Sequence, residues 1–248
     1  MSTKISALVI TLNEEKNIRD LIHNLHFADE IIIVDSYSTD QTLAILKEFP
    51  HVKVYQHKFV DFSTQRNIAL KYASYPWILF IDADERIPEK LKNEILETIA
   101  LPDAQQGYYF KRRFYFMNKP VYFSGLRTDK NLRLFQNNGA QYRGLVHEKL
   151  HIENTGTLQN YLSHYSYNSQ KHFKEKIVYY NQLKALEKVQ KGAQLSIFMA
   201  TFHPIYTFLN RYLFRLGILD GKKGLVICSI YAQGIRARYK EIKRLQEK

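Results

Sequence analysis

Trp77-Ile78-Leu79-Phe80-Ile81-Asp82-Ala83-Asp84-Glu85 is the stretch that decides the fold. Five successive apolar residues without polar alternation read as a strand buried on both faces, the texture of a parallel sheet covered by helices. Two carboxylates one residue apart follow at once. Charge is costly to bury without partners, so acids at a strand's carboxyl end mark a loop facing a crevice, where open α/β sheets bind ligands. A bend after Ile81 lets Asp82 meet one part of a ligand and Asp84 a divalent cation, because Mg²⁺ and Mn²⁺ favour carboxylate and phosphate oxygens. The same acids also suit a capping turn before a helix beginning near Pro88. The neighbouring sequence carries the choice.

Towards the N-terminus, Lys4 to Leu12 reads as a strand and Asn13 as the N-cap of a helix from Glu14 to about Leu25. Glu30 to Asp35 is a second buried strand ending in an acid. Ser36 to Asp40 supplies turn and cap residues before a helix over Gln41 to Phe49, with Asp40 read as the cap. Val52 to Tyr55 is a third strand, and Ser63 to Ala73 a helix. Strands alternating with helices of this length imply βαβ units and a parallel sheet. Beyond a helix from Pro88 to about Ile99 the texture becomes aromatic and antiparallel, at Tyr108 to Phe116, Val121 to Phe123, Asn131 to Phe135 and Leu158 to Tyr167. From Ser169 the pattern is helical as far as about Leu245, broken near Pro204 and between Gly217 and Gly224. Two regions are expected, residues 1–168 and 169–248.

Composition bounds the function. The 248 residues are 45% hydrophobic, which supports a packed core and excludes general disorder. Of the +12 net charge, residues 171–248 carry almost all, with 16 Lys/Arg against 5 Asp/Glu; residues 1–170 hold 20 and 19. The single cysteine, Cys228, excludes an internal disulfide and fits a reducing compartment. The first apolar run, Ile5 to Ile10, is too short for a secretory signal, and no run of about 18 apolar residues suggests a spanning helix. Leu195 to Leu219 and Leu225 to Ala232 are apolar, interrupted by His203, Pro204, Asn210, Arg211 and Arg215, and set among basic residues. That pattern fits helices lying on an anionic membrane surface. An appendage packed on the body with a solvated charged face, or a dimer interface, are the alternatives. No motif supports nucleic acid as a partner.

Four segments occur in an order that narrows the reading: Val9 to Ile18 (VITLNEEKNI), Ile31 to Thr42 (IIIVDSYSTDQT), Gln65 to Leu70 (QRNIAL) and Ile78 to Glu85 (ILFIDADE). Together, over residues 3–165, they resemble glycosyltransferase family 2. Val146-His147-Glu148 and Gly217 to Leu225 (GILDGKKGL) resemble the bacterial subgroup that includes lipopolysaccharide-core β-1,4-glucosyltransferases. The resemblance implies a nucleotide-diphospho-sugar transferase (GT-A) fold: a Rossmann-like, mostly parallel sheet with antiparallel acceptor-side strands, here followed by a helical membrane-associating region. It implies an inverting transferase that moves sugar from a UDP-sugar to a membrane-associated glycan or lipopolysaccharide-core acceptor. The expected location is peripheral, on the cytoplasmic face of the inner membrane, or cytoplasmic.

Carried over residue by residue, the resemblance gives Thr11, Asn13 and Glu14 contacts to the nucleotide, Asp35 the uracil edge or ribose, and Asp82 the ribose. Arg66 and Asn67 line the nucleotide pocket, and Asp84 holds Mn²⁺ or Mg²⁺ bridging the diphosphate. His164 is the expected additional metal ligand, with His147 ranked below it. Glu148 is the expected general base, ahead of Asp129 and Glu153. Tyr37 departs from the small residue usual in its turn. Arg112, Arg113, Arg127, Arg133 and Arg143 are candidates for meeting a phosphorylated acceptor, since guanidinium matches phosphate oxygens. A non-catalytic nucleotide-sugar or glycan-binding module is the alternative function. A nucleotidyltransferase is a weaker one, because VITLNEEKN lacks the glycine-rich loop that grips a triphosphate. The oligomeric state is left open.

Overall fold

In the computed structural model, which describes residues 3–144, 149–167 and 169–247, the apolar runs become strands covered on both faces. β1 (Ile5–Thr11), β2 (Glu30–Asp35), β3 (Val52–Gln56) and β4 (Trp77–Phe80) lie parallel in the order β3-β2-β1-β4. Between them run α1 (Ile18–Asn24), α2 (Thr42–Leu46) and α3 (Phe62–Tyr72); α4 (Glu89–Ala100) follows the two-residue β5 (Glu85–Arg86). Alternation along each strand divides its side chains between two cores. Ile5, Ala7, Val9, Ile31, Ile33 and Leu79 pack with α1, α2 and α4. Leu8, Ile32, Val34, Ile78 and Phe80 pack with Ala69 and Leu70 of α3. Each buried Val, Leu, Ile or Phe side chain here contributes about 1.5–3 kcal/mol by leaving water.

The antiparallel half extends this sheet. β8 (Lys130–Gln136) pairs with β4, and β6 (Gly107–Phe116) pairs with β8, with an irregularity between Tyr108 and Tyr109. β11 (Thr155–Tyr167) and β5 complete the order, and β7 (Lys119–Val121) pairs with the end of β6. β9 (Tyr142–Arg143) and β10 (Lys149–Leu150) form a separate hairpin. The α/β class and mixed sheet follow the expectation. Some boundaries do not. α1 starts at Ile18, because Asn13 sits at φ 57° and its side-chain oxygen accepts from Thr39 N (2.8 Å), crossing to the next loop rather than capping. α2 ends at Leu46, and Tyr122 and Phe123 lie outside β7.

A buried carboxylate fixes the start of β2. Glu30 accepts from Ser6 Oγ (2.6 Å), Lys53 Nζ (2.5 Å) and Ser74 N (2.9 Å) and Oγ (2.8 Å). Burial alone pushes its pKa up, but these donors outweigh it and hold the carboxyl at about 2.

The chain divides into two compact units, 1–112 with 129–164 and 113–128 with 165–248. The division departs from the expected boundary at residue 168, because residues 113–128 belong with the helices. In the second unit Phe114, Phe116, Val121 and Leu126 share a core with Phe173 and Ile177 of α5 (Gln170–Gln190) and Ile227 and Ile230 of α7 (Lys222–Gln246). α6 (Ile197–Leu209) runs on into a π-helical turn at Asn210–Phe214, then a 3₁₀ turn at Gly217–Asp220. Pro204 does not break α6; the helical path is interrupted earlier, after Gln190. The break expected between Gly217 and Gly224 falls at Gly221 (φ 63°), between the 3₁₀ turn and α7. Gly224 lies inside α7, where a Cβ would come within 1.8 Å of the Gly217 carbonyl oxygen, so its smallness permits close packing.

GILDGKKGL thereby builds a clamp. Asp220, buried, accepts from Tyr122 N (3.0 Å), Phe123 N (3.0 Å) and Ser124 Oγ (2.7 Å). Arg211 donates to Ser124 O (2.8 Å) and Lys223 to Pro120 O (2.6 Å). Among the described residues, no helix is long and apolar enough to cross a membrane.

Candidate active site

Because β1, β2 and β4 are parallel neighbours, their carboxyl ends share one edge of the sheet. Thr11 stands beside Asp35 in register, and the acids after β4 follow one strand away. The chain turns there, with Glu85 N donating to Asp82 O (3.0 Å) and Asp82 N to Glu85 Oε2 (3.1 Å).

Three arginines from three elements fix this turn. Arg133 of β8, buried, donates through Nη2 to Asp82 and to Glu85 Oε1 (2.7 Å). Arg66 of α3 donates to Asp82 Oδ1 (2.9 Å) while lying over the Phe80 ring, 4.4 Å from its centroid. Arg112 of β6 lies 3.5 Å from Glu85 Oε1 and donates to Asp129 (2.5 Å). Burial pushes the Asp82 carboxyl up, but the guanidinium groups of Arg133 and then Arg66 outweigh it, and its pKa sits well below the usual carboxylate range. Burial likewise disfavours charge on Arg133, and Asp82 and Glu85 more than reverse that. Asp82 is a fixed anion.

Asp84 meets a different partner. Its Oδ1 and Oδ2 lie 3.2 and 3.3 Å from His164 Nε2 on β11, whose backbone is registered with Glu85. Residues 80 positions apart in sequence thus present a carboxylate and an imidazole together, with 21% and 11% of their side-chain surfaces exposed. Among the described residues no group of three or more His, Cys, Asp or Glu is placed to hold a metal. A two-ligand site still suits Mg²⁺ or Mn²⁺, which keep water and take substrate phosphates as further ligands.

The expected nucleotide residues lie at the same edge. Asp35 is buried, accepting from Thr11 Oγ1 (3.1 Å) and from Ser38 N (2.8 Å) and Oγ (2.5 Å). Glu14 N donates to Thr42 Oγ1 (2.8 Å), and Asp40 accepts from Thr42 N (2.9 Å) before α2. Asn67 spends both ends of its amide on the backbone of Tyr142, at 2.9 and 2.8 Å. Ser63 Oγ donates to Gly144 O (2.5 Å).

Glu148 and His147 lie outside the described residues, but both flanks are placed. β9 precedes them and β10 follows, and α3, which carries Arg66, holds the β9 side through Asn67 and Ser63. Of the rival bases, Asp129 is bound by Arg112, and Glu153 is exposed ahead of β11. Arg133 is removed from the candidates for an acceptor phosphate, since it is buried and committed to two carboxylates. The sequence reading gave no role to Glu85. Its signal was an arginine inside the apolar strand Leu132-Arg133-Leu134-Phe135, which requires a buried acid as partner.

A family model described as "Glycosyl transferase family 2" matches residues 6–162. The chain belongs to glycosyl transferase family 2. It is an enzyme of the glycosyltransferase class, which sets aside the nucleotidyltransferase and the non-catalytic module. The lipopolysaccharide core biosynthesis glycosyltransferase LpsC of Rhizobium meliloti is 29% identical over 257 residues, covering 95% of this chain and 93% of its own. An uncharacterized glycosyltransferase of Rickettsia felis is also 29% identical, over 98% of this chain and 90% of its own. Among solved structures, residues 1–349 of Staphylococcus aureus TarS superpose with a TM-score of 0.51 at 17% identity, covering 98% and 91% of the two chains, a likeness of fold. The family 2 match contains every residue of the arginine–carboxylate cluster and stops two residues short of His164.

Proposed function

We propose that this family 2 transferase moves a sugar from a UDP-sugar to a membrane-linked glycan of the lipopolysaccharide-core kind, inverting the anomeric carbon. The observation that carries the reading is the meeting of Asp84 and His164 beside an Asp82 already neutralised by arginine. The β-1,4-glucosyltransferase likeness of the sequence and the similarity to LpsC, a lipopolysaccharide core biosynthesis glycosyltransferase, support the acceptor class.

Asp84 and His164 would hold a divalent ion, and that ion when bound supplies positive charge against the departing diphosphate. Asp82, locked by Arg66 and Arg133, keeps the turn rigid and presents its remaining acceptor capacity to the ribose. Thr11, Asn13, Glu14 and Asp35 line the nucleotide side with Arg66 and Asn67. Asp35 reaches a base or ribose once Ser38 yields one of its two bonds. Glu148 takes the proton from the acceptor hydroxyl as that oxygen bonds to the anomeric carbon and the bond to the diphosphate breaks. One base suffices for a single displacement. The enzyme would act at the cytoplasmic face of the membrane.

The test is UDP release from a panel of UDP-sugars with Mn²⁺ or Mg²⁺ and a core-oligosaccharide acceptor. Glu148→Gln is expected to lower turnover by about 10²–10⁴-fold while UDP binding persists. Indifference to every uridine nucleotide sinks the donor assignment, and retained configuration in the product sinks the single displacement.

A further inference from the structure

α6 is built inside out. Ala200, His203, Pro204 and Thr207 recur at helical spacing and form its less exposed side, and His203 Nδ1 lies 3.0 Å from the Tyr239 hydroxyl of α7. The large apolar side chains are on the opposite side: Phe198 is 66% exposed, Phe202 and Ile205 each 52%, and Tyr206 61%. A helix that folded only to fill a core would turn these residues inward. The apolar surface continues into the following turns, where Phe214 is 78% and Leu219 64% exposed. Among the described residues, half of the exposed large hydrophobics fall between Ile197 and Leu225. A run of this extent marks an interaction surface.

Charge selects the occupant. The second unit holds 19 Lys/Arg against 5 Asp/Glu, a net of +14, whereas the first nets −2. α6 itself contains no Lys, Arg, Asp or Glu, and the basic residues flank it: exposed Lys188 and Lys191 before, exposed Arg215 and Lys222 after. Lys188 and Arg238 lie close enough to His203 to add to the effect of burial in lowering its pKa. A second copy of the chain would bring the same cations against one another. An anionic bilayer offers an apolar interior beneath a negative headgroup layer, matching both the outward face and its cationic flanks.

We infer that α6 and the turns after it lie in the headgroup plane of an anionic membrane, with Phe198, Phe202, Ile205, Tyr206 and Phe214 inserted and the flanking cations on lipid phosphates. The surface deepens the reading of a membrane-linked acceptor, but its test uses neither donor nor acceptor.

The full chain is sedimented with vesicles of phosphatidylcholine alone or containing about one-third phosphatidylglycerol. Binding is expected to the anionic vesicles and to weaken several-fold in high salt. Phe198→Ser/Phe202→Ser/Ile205→Ser is expected to bind them roughly tenfold or more weakly, with helical circular dichroism and UDP binding unchanged. Leu96→Ser/Leu101→Ser, exposed residues of the first unit, is expected to bind like the parent. Insertion is read independently in Phe198→Trp, whose fluorescence should shift blue and be quenched by brominated lipid. Parental binding by the triple variant overturns the inference, as does absence of quenching. A parent dimer that the triple variant turns into monomers, without vesicle binding, assigns the face to a second copy and also overturns it. Because UDP binding is followed in the same samples, loss of the active-site reading is distinguished from loss of the membrane face.

Discussion

The first unit sets Arg66, Arg112 and Arg133 onto its own acids, whereas the second, beside a buried core around Phe173, leaves the large apolar side chains of α6 and the turns after it in water. Phe80, Phe110 and Phe135 are wholly buried in the one, while Phe198 and Phe214 are 66% and 78% exposed in the other. Net charges of −2 and +14 follow the same division. Net charge of one sign bears on solubility and on association with oppositely charged surfaces, not on the fold. The comparison teaches that the +12 of the whole chain describes neither unit.

Each unit also contains a buried polar clamp, around Arg133 in the first and around Asp220 in the second, and breaking these separately tests whether the units are independent. The larger effect is expected from Arg133→Met, which leaves Asp82 and Glu85 facing each other with less compensation and should destabilise the first unit by about 3–5 kcal/mol. The chain's one tryptophan, Trp77, lies in that unit, so its fluorescence transition should fall while most helical ellipticity, from the second unit, melts as before. Asp220→Asn is the converse. Weakening the acceptor for Tyr122 N, Phe123 N and Ser124 Oγ should cost the second unit about 1–3 kcal/mol, lowering the ellipticity transition and sparing Trp77. If either variant moves both transitions together, the units unfold as one and the comparison fails.

The smallest effect concerns acid. Glu30 has a folded pKa of about 2, below its ordinary 4.5. Its contribution is therefore fully present above about pH 4.5 and is lost as the pH falls towards 2. Glu30→Gln should flatten that part of the Trp77 stability profile and leave the second unit's acid response unchanged. An unaltered profile would show that Lys53, half in solvent, and the two serines add nothing.

Much of the first unit was legible because its signals are local. Continuous apolar runs announced β1, β2 and β4, and the acid or hydroxyl at or just after the end of each falls on one shared edge of the sheet. The meeting of Asp84 with His164 was anticipated through resemblance alone, since 80 residues of chain hide a contact that only sheet order creates. Arg133 was misread as a phosphate reader because a guanidinium looks alike whether it meets substrate or an internal carboxylate. Asn13 was misread as a cap because its left-handed backbone, set by contacts to Ser38 and Thr39, leaves no mark in composition. In the second unit the helices were legible. The inward side of α6 was not, because small residues at helical spacing become informative only once α7 is seen beside them.

The most direct measurement is calorimetric titration of UDP into the full chain, with and without Mn²⁺, for the parent, Asp84→Ala and His164→Ala. The proposed chemistry predicts that Mn²⁺ tightens UDP binding to the parent by about tenfold or more and that either substitution removes most of this gain. Equal UDP affinity with and without Mn²⁺, or a Mn²⁺ gain that survives both substitutions, would contradict it.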